Sequence, residues 1–267
     1  EKEAVCFLPG SGLAESLTGK GVLVAVIDSG ISYWSSDFRH ADGTTRIRFL
    51  WDQITGKEYD AAQINEALAT DNREAALGIV PSIDTTGHGT AVAGIAAGNG
   101  GTAGAAYAGM APESELLVVR LGVPGAEAFP RTTELMRALN YVVQKALLLQ
   151  MPVAVNVSFG NTYGAHNGTS LLERFLDNVS EIGRSVVCVG SGNEGASGGH
   201  VGGRVGNDTA VIELIVGEYE TGLNVQLWKE YVDRYRIRLR SPGGEEIIID
   251  TDRPGKQTYQ LEQTTLL

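Results

Sequence analysis

The sequence predicts an α/β protein: a mostly parallel sheet with helices on both faces, followed by the start of a β-rich segment. Three observations carry that expectation. Short, uninterrupted apolar runs recur, as strands buried on both faces require. Between them lie longer segments with apolar residues at helical spacing, and strands alternating with helices imply crossovers and parallel pairing. Beyond about residue 200 the helical period disappears and short alternating segments replace it.

The first strand is Val22–Ile27, set between Gly21 and Gly30. Leu116–Leu121, Pro152–Val157 and Val186–Val189 repeat the pattern. Gly89–Ala97 reads as a helix of small residues, with Gly89, Ala93 and Gly94 allowing close packing. Arg131–Gln150 places Leu135, Leu139, Val142, Val143, Ala146 and Leu147 on one helical face. Ser170–Ile182 does the same with Leu171, Leu172, Phe175 and Val179. Gly198–Asn207 is glycine-rich and nearly free of apolar residues. After it, Val211–Val216, Asn224–Trp228 and Tyr235–Arg240 read as strands, with a turn at Ser241-Pro-Gly-Gly244 and a return over Glu246–Asp250. The expected division is 1–208 for the α/β domain and 209–267 for an incomplete β-rich, jelly-roll-like insertion.

Bulk composition narrows the function classes. There are 21 basic and 32 acidic side chains, a net charge of −11. Such a chain repels nucleic acid and anionic membrane surfaces, so neither is an expected partner. No apolar stretch reaches the roughly 18 residues that span a bilayer. No signal peptide is visible, and the chain begins at Glu1 without a methionine, which suggests a processed or trimmed piece. The two cysteines, Cys6 and Cys188, are too few for a disulfide framework or a zinc site. Cys188 sits in an apolar run and reads as a buried small hydrophobe. His40, His166 and His200 show no metal-ligand spacing and read as surface or loop residues.

Three short motifs carry chemistry. Val26-Ile-Asp-Ser-Gly30 puts Asp28 directly after a buried strand, where a carboxylate is costly unless hydrogen-bonded. Its plain alternative is a turn or N-cap aspartate. Gly87-His-Gly-Thr-Ala-Val-Ala-Gly94 presents His88 at the rigid start of a helix, the fixed geometry a general base needs. Val189-Gly-Ser-Gly-Asn-Glu-Gly195 places Asn193 after another strand, where its amide could meet a developing oxyanion. Taken singly, Asn193 is a common turn residue and His88 a structural histidine.

Together, and in this order, the three motifs resemble the signature of the subtilisin-like (S8) serine proteases. Ala108-Gly-Met-Ala-Pro112 followed by Glu115–Leu121 is similar to that family's lead into a central strand. Asn156-Val-Ser-Phe-Gly160 resembles one wall of its P1 pocket, which implies substrate contacts at Ser158, Phe159 and Gly160, with Ser191 and Gly192 opposite. Asp37-Phe-Arg39, Asp42–Ile47, Leu50-Trp-Asp-Gln53 and Tyr163–Ser170 look like segments of the clostridial-type subtilases, a group that includes the spore-germination (Csp) proteases. In that group a jelly-roll domain interrupts the fold between the asparagine and the serine.

The resemblance implies a serine endopeptidase acting on peptides or proteins. It requires no cofactor, though structural calcium is possible in the family. The departure is the nucleophile. The single G-T-S, Gly168–Ser170, precedes Asn193 and reads as a helix start. The expectation is therefore a serine beyond Leu267, with the remainder of the polypeptide bound to this piece. The competing expectation is an inactive pseudoprotease serving as a binding or signalling module. A bacterial source is expected, with location open between secretion, spore and cytoplasm.

Overall fold

A computed structural model describes residues 17–126, 130–160, 163–206, 208–249, 251, 255–261 and 265–266. Cys6, Asn207 and Asp250 fall outside them. The chain divides into two compact units. One comprises residues 1–162 and 166–210, the other 163–165 and 211–267.

The first unit is built on a six-stranded sheet. In chain order its elements are β1 (Leu23–Asp28), β2 (Ile47–Asp52), β3 (Lys57–Asp60), α1 (Ala61–Leu68), α2 (Arg73–Ile79), α3 (His88–Ala97), β4 (Glu115–Arg120), α4 (Thr132–Leu149), β5 (Val153–Val157), α5 (Leu171–Glu181) and β6 (Ser185–Val189). The strand order is β3-β2-β4-β1-β5-β6. All neighbours are parallel except β3, which pairs antiparallel with β2 at the edge. The four strands read from apolar runs form as expected. The pair β2–β3 and helices α1 and α2 were not read from the sequence. Arg46, Arg48 and Asp52 interrupt the apolar pattern around β2, and α1 and α2 span only 8 and 7 residues.

Helices cover both faces. Val24 and Val26 of β1 join a cluster with Ile64 and Ala67 of α1, Ala76 of α2, and Ala93 and Ala97 of α3. Leu23, Ala25 and Ile27 point the other way, onto Leu135, Ala138, Leu139 and Val142 of α4. Alternation along one strand thus feeds two cores, which is why β1 is apolar at every position but its last. Ser170 caps α5: its hydroxyl accepts from the Glu173 N–H at 3.3 Å, and Glu173 answers by accepting from the Ser170 N–H at 2.8 Å. Ser170 is thus a helix cap, as its position in the sequence suggests.

Two buried cations hold the strand ends. Arg120 pairs with Asp52 at 3.0 Å. Arg46 donates to the carbonyls of Pro112, Ser114, Asp37 and Ala97, tying β2 to the segments around α3 and β4.

Cys188 departs from expectation: it is exposed. The register explains this. Val24 and Val26 pair across to Ala154 and Asn156, which pair to Val186 and Cys188. These residues share the face that α1–α3 cover over β1, but nothing among the described residues of the first unit covers it over β6. Val186 is 61% exposed there. Gly94 also differs, since a methyl added to it would meet nothing within 4 Å.

The second unit holds the antiparallel hairpin β7 (Ile237–Arg240) with β8 (Glu246–Ile249), and the short pair β9 (Tyr259–Gln260) with β10 (Thr265–Leu266). The strands expected at Val211–Val216 and Asn224–Trp228 do not form; both segments are exposed and irregular. A strand is defined by a partner's hydrogen bonds, and among the described residues neither segment has one.

Candidate active site

The carboxyl ends of adjacent parallel strands gather the chemistry-bearing residues, the place where open α/β sheets collect ligands. Asp28 is the last residue of β1, in register with Arg120 of β4. Its side chain is 4% exposed, so its charge needs fixed partners. Oδ1 accepts from the Ser29 backbone N–H at 2.7 Å and lies 2.7 Å from His88 Nδ1. Oδ2 is buried without a hydrogen-bond partner among the described residues.

His88 opens α3. Gly87 before it takes φ +78°, a left-handed conformation that a side chain would strain. Gly89 after it is buried where the helix meets β1, and an added Cβ would lie 3.0 Å from the Asp28 Cβ. This contact lets the helix start come close enough for His88 to reach Asp28. Facing a carboxylate, Nδ1 carries the imidazole proton, which leaves Nε2 as the acceptor. The His88 side chain is 56% exposed and lines a cleft.

A cleft of about 250 Å³ lies beside this pair. Asp28, Ser29, Thr86 and His88 line one part, and Leu121, Pro130, Ser158 and Phe159 the rest. Of the residues read as substrate-contacting, Ser158 and Phe159 are therefore in the cleft. Gly160, Ser191 and Gly192, together with Asn193, are exposed and do not line it. They follow β5 and β6, neighbouring strands that end side by side, with the Gly190 N–H donating to the Val157 carbonyl at 3.1 Å. Gly192 takes φ +92° in that segment.

Asp84 was missed by sequence reading. Its Oδ1 accepts from the Ser29 hydroxyl at 2.8 Å and the Gly87 N–H at 2.9 Å. Its Oδ2 accepts from the Thr90 N–H at 2.9 Å and the Thr90 hydroxyl at 2.5 Å. Burial pushes the Asp84 carboxyl up, but the bonds from Thr90, Ser29 and Gly87 outweigh it and hold the group below its ordinary value. The available signal was a carboxylate shortly before a helix start.

The other histidines lie apart from the pair. His40 stands 3.7 Å from Glu115, and the His166 and His200 rings stack with centroids 5.0 Å apart. Among the described residues, no three His, Cys, Asp or Glu side chains converge to hold a metal. Nor is any helix among them long and apolar enough to cross a membrane.

A mostly parallel sheet covered by helices, with a hydrogen-bonded aspartate–histidine pair at its strand ends, is an α/β arrangement of the subtilisin-like kind. The family model of the subtilases (peptidase S8) matches residues 19–265, and the chain belongs to that family. The structure of the CspB protease of Clostridium perfringens is 39% identical, with a TM-score of 0.66, over 71% of this chain and 40% of that one. The major intracellular serine protease of Bacillus subtilis (strain 168) is 30% identical over 68% of this chain and 46% of its own length. A subtilisin of Bacillus sp. (strain TA39) is 27% identical over 76% of this chain and 42% of its own length. The chain thus spans less than half the length of these relatives.

Proposed function

We propose that the chain carries the aspartate, histidine and oxyanion-stabilising part of a serine endopeptidase. The 2.7 Å contact between His88 and Asp28 at the open cleft carries the reading. In the proposed reaction His88 Nε2 takes the proton from a serine hydroxyl as its oxygen attacks the peptide carbonyl. Asp28 holds the tautomer and stabilises the imidazolium that forms. Asn193 and a backbone N–H receive the oxyanion; one such donor contributes about 3–4 kcal/mol in the transition state. His88 then protonates the leaving amine, and water hydrolyses the acyl-enzyme. Ser158, Phe159 and Gly160 form one wall for the substrate, Ser191 and Gly192 the other.

The nucleophile in this reading is a serine outside these 267 residues. Within them, the one G-T-S ends in Ser170, which caps α5, and among the described residues the His88 ring makes a single hydrogen bond, to Asp28. The uncovered face over β6 supports a covering segment from the remainder of the polypeptide. The division of labour is 1–208 for the catalytic part and 209–267 for the start of an inserted β domain.

The test is labelling with a fluorophosphonate probe in the complete polypeptide. Labelling of one serine, abolished by His88→Ala, is the expected result. A folded, complete protein that takes no label refutes the endopeptidase and leaves the pseudoprotease.

A further inference from the structure

We propose that Asp84 is a positioning residue: its carboxylate ties the turn after β1 to the first turn of α3 and so sets the Asp28–His88 contact. The inference rests on the protease reading above and concerns a residue outside the triad.

The His88 ring has one hydrogen bond among the described residues, and more than half of its side chain is open. Its location is therefore inherited from the backbone at the start of α3. That start has no side-chain cap of its own, because the capping position is Gly87. Asp84 supplies the missing acceptors, taking the Gly87 and Thr90 N–H groups that flank His88 at 2.9 Å each.

The same carboxylate reaches β1. It accepts from Ser29, which adjoins Asp28, and the Ser29 hydroxyl in turn accepts from the Gly89 N–H at 2.9 Å. A second route runs through Thr90, whose hydroxyl donates to Asp84 and accepts from the Ser32 N–H at 2.9 Å. Both neighbours of His88 and the residue after Asp28 are thus joined through one carboxylate. Gly30 allows the close approach: a Cβ on it would lie 3.2 Å from the Asp84 Cα. Asp84 itself does not line the cleft, so it acts on the pair and not on substrate.

The test compares Asp84→Ala and Asp84→Asn with wild type by three readouts. The first is the thermal midpoint. The second is the downfield proton resonance of His88 Nδ1–H in the complete polypeptide. The third is kcat and KM in the complete polypeptide. A displacement of 1 Å in a catalytic group costs about 100-fold in rate. Asp84→Ala is expected to lose or broaden the resonance and to lower kcat by about that factor, with KM unchanged. Asp84→Asn keeps the shape but turns an NH₂ toward a donor; it serves where the alanine variant fails to fold, and it is expected to fall between the two. A lower midpoint with resonance and kcat retained would overturn the proposal, because it describes a purely structural residue. If the wild type itself shows no turnover, the protease reading fails, and the resonance still decides the role of Asp84.

Discussion

Gly89→Ala sets two effects of opposite sign against each other. In an exposed helix the change stabilises by about 0.5–1 kcal/mol, through propensity alone. Here the new methyl would lie 3.0 Å from the Asp28 Cβ and 3.1 Å from the Gly30 backbone nitrogen, and closer still to the Gly30 carbonyl oxygen. Carbon–carbon contacts relax at about 3.5–4.0 Å, so the helix start must retreat by roughly 0.5–1 Å. The neighbours are backbone and a strand-end Cβ, which cannot swing aside. Overpacking of this kind costs about 1–3 kcal/mol, which exceeds the propensity gain. The retreat also carries His88 away from Asp28, stretching a 2.7 Å contact toward or beyond the hydrogen-bonding limit. The expected outcome is a net loss of roughly 0.5–2 kcal/mol in urea unfolding of the complete polypeptide, by difference of these two effects. Fluorophosphonate labelling of the complete polypeptide should slow by about 100-fold. A variant as stable as wild type or more so, labelled at the wild-type rate, would refute the close-approach argument.

Three further outcomes are expected. Asp52→Ala should destabilise by up to about 3–5 kcal/mol in chemical denaturation, since it removes the carboxylate that meets the buried Arg120 guanidinium at 3.0 Å. Asp84 has its folded-state pKa below the ordinary 3.8, so its unfolded form binds more protons in acid. Its contribution is complete above that value and is lost as pH falls through the folded pKa; stability profiles below pH ~4 should flatten in Asp84→Asn. Ser170→Ala should cost about 1 kcal/mol through loss of the α5 cap, with no change in labelling, which separates this serine from the nucleophile.

The sequence by itself determined four adjacent strands of the sheet and the Asp28 and His88 candidates at the cleft. A strand buried on both faces must be apolar throughout, so Val22–Ile27 and Leu116–Leu121 announce themselves, the runs Pro152–Val157 and Val186–Val189 mark two more strands although the last is an open edge, and the small residues after His88 announce a helix packed close. Those signals are local, and local physics produces them. The tertiary structure decided what depends on residues far apart in the chain. β2, whose apolar run Arg48 interrupts, became a strand because β4 and β3 supply its hydrogen bonds on either side. Cys188 is open because, among the described residues of the first unit, its face of β6 lacks the helices that cover β1, which no run of apolar letters can reveal. Val211–Val216 and Asn224–Trp228 stayed irregular while Ile237–Arg240 paired with Glu246–Ile249, since alternation proposes a strand but a partner makes one. Asp84 acquired its place through a bond to Ser29, 55 residues away, that only the folded chain brings within 2.8 Å.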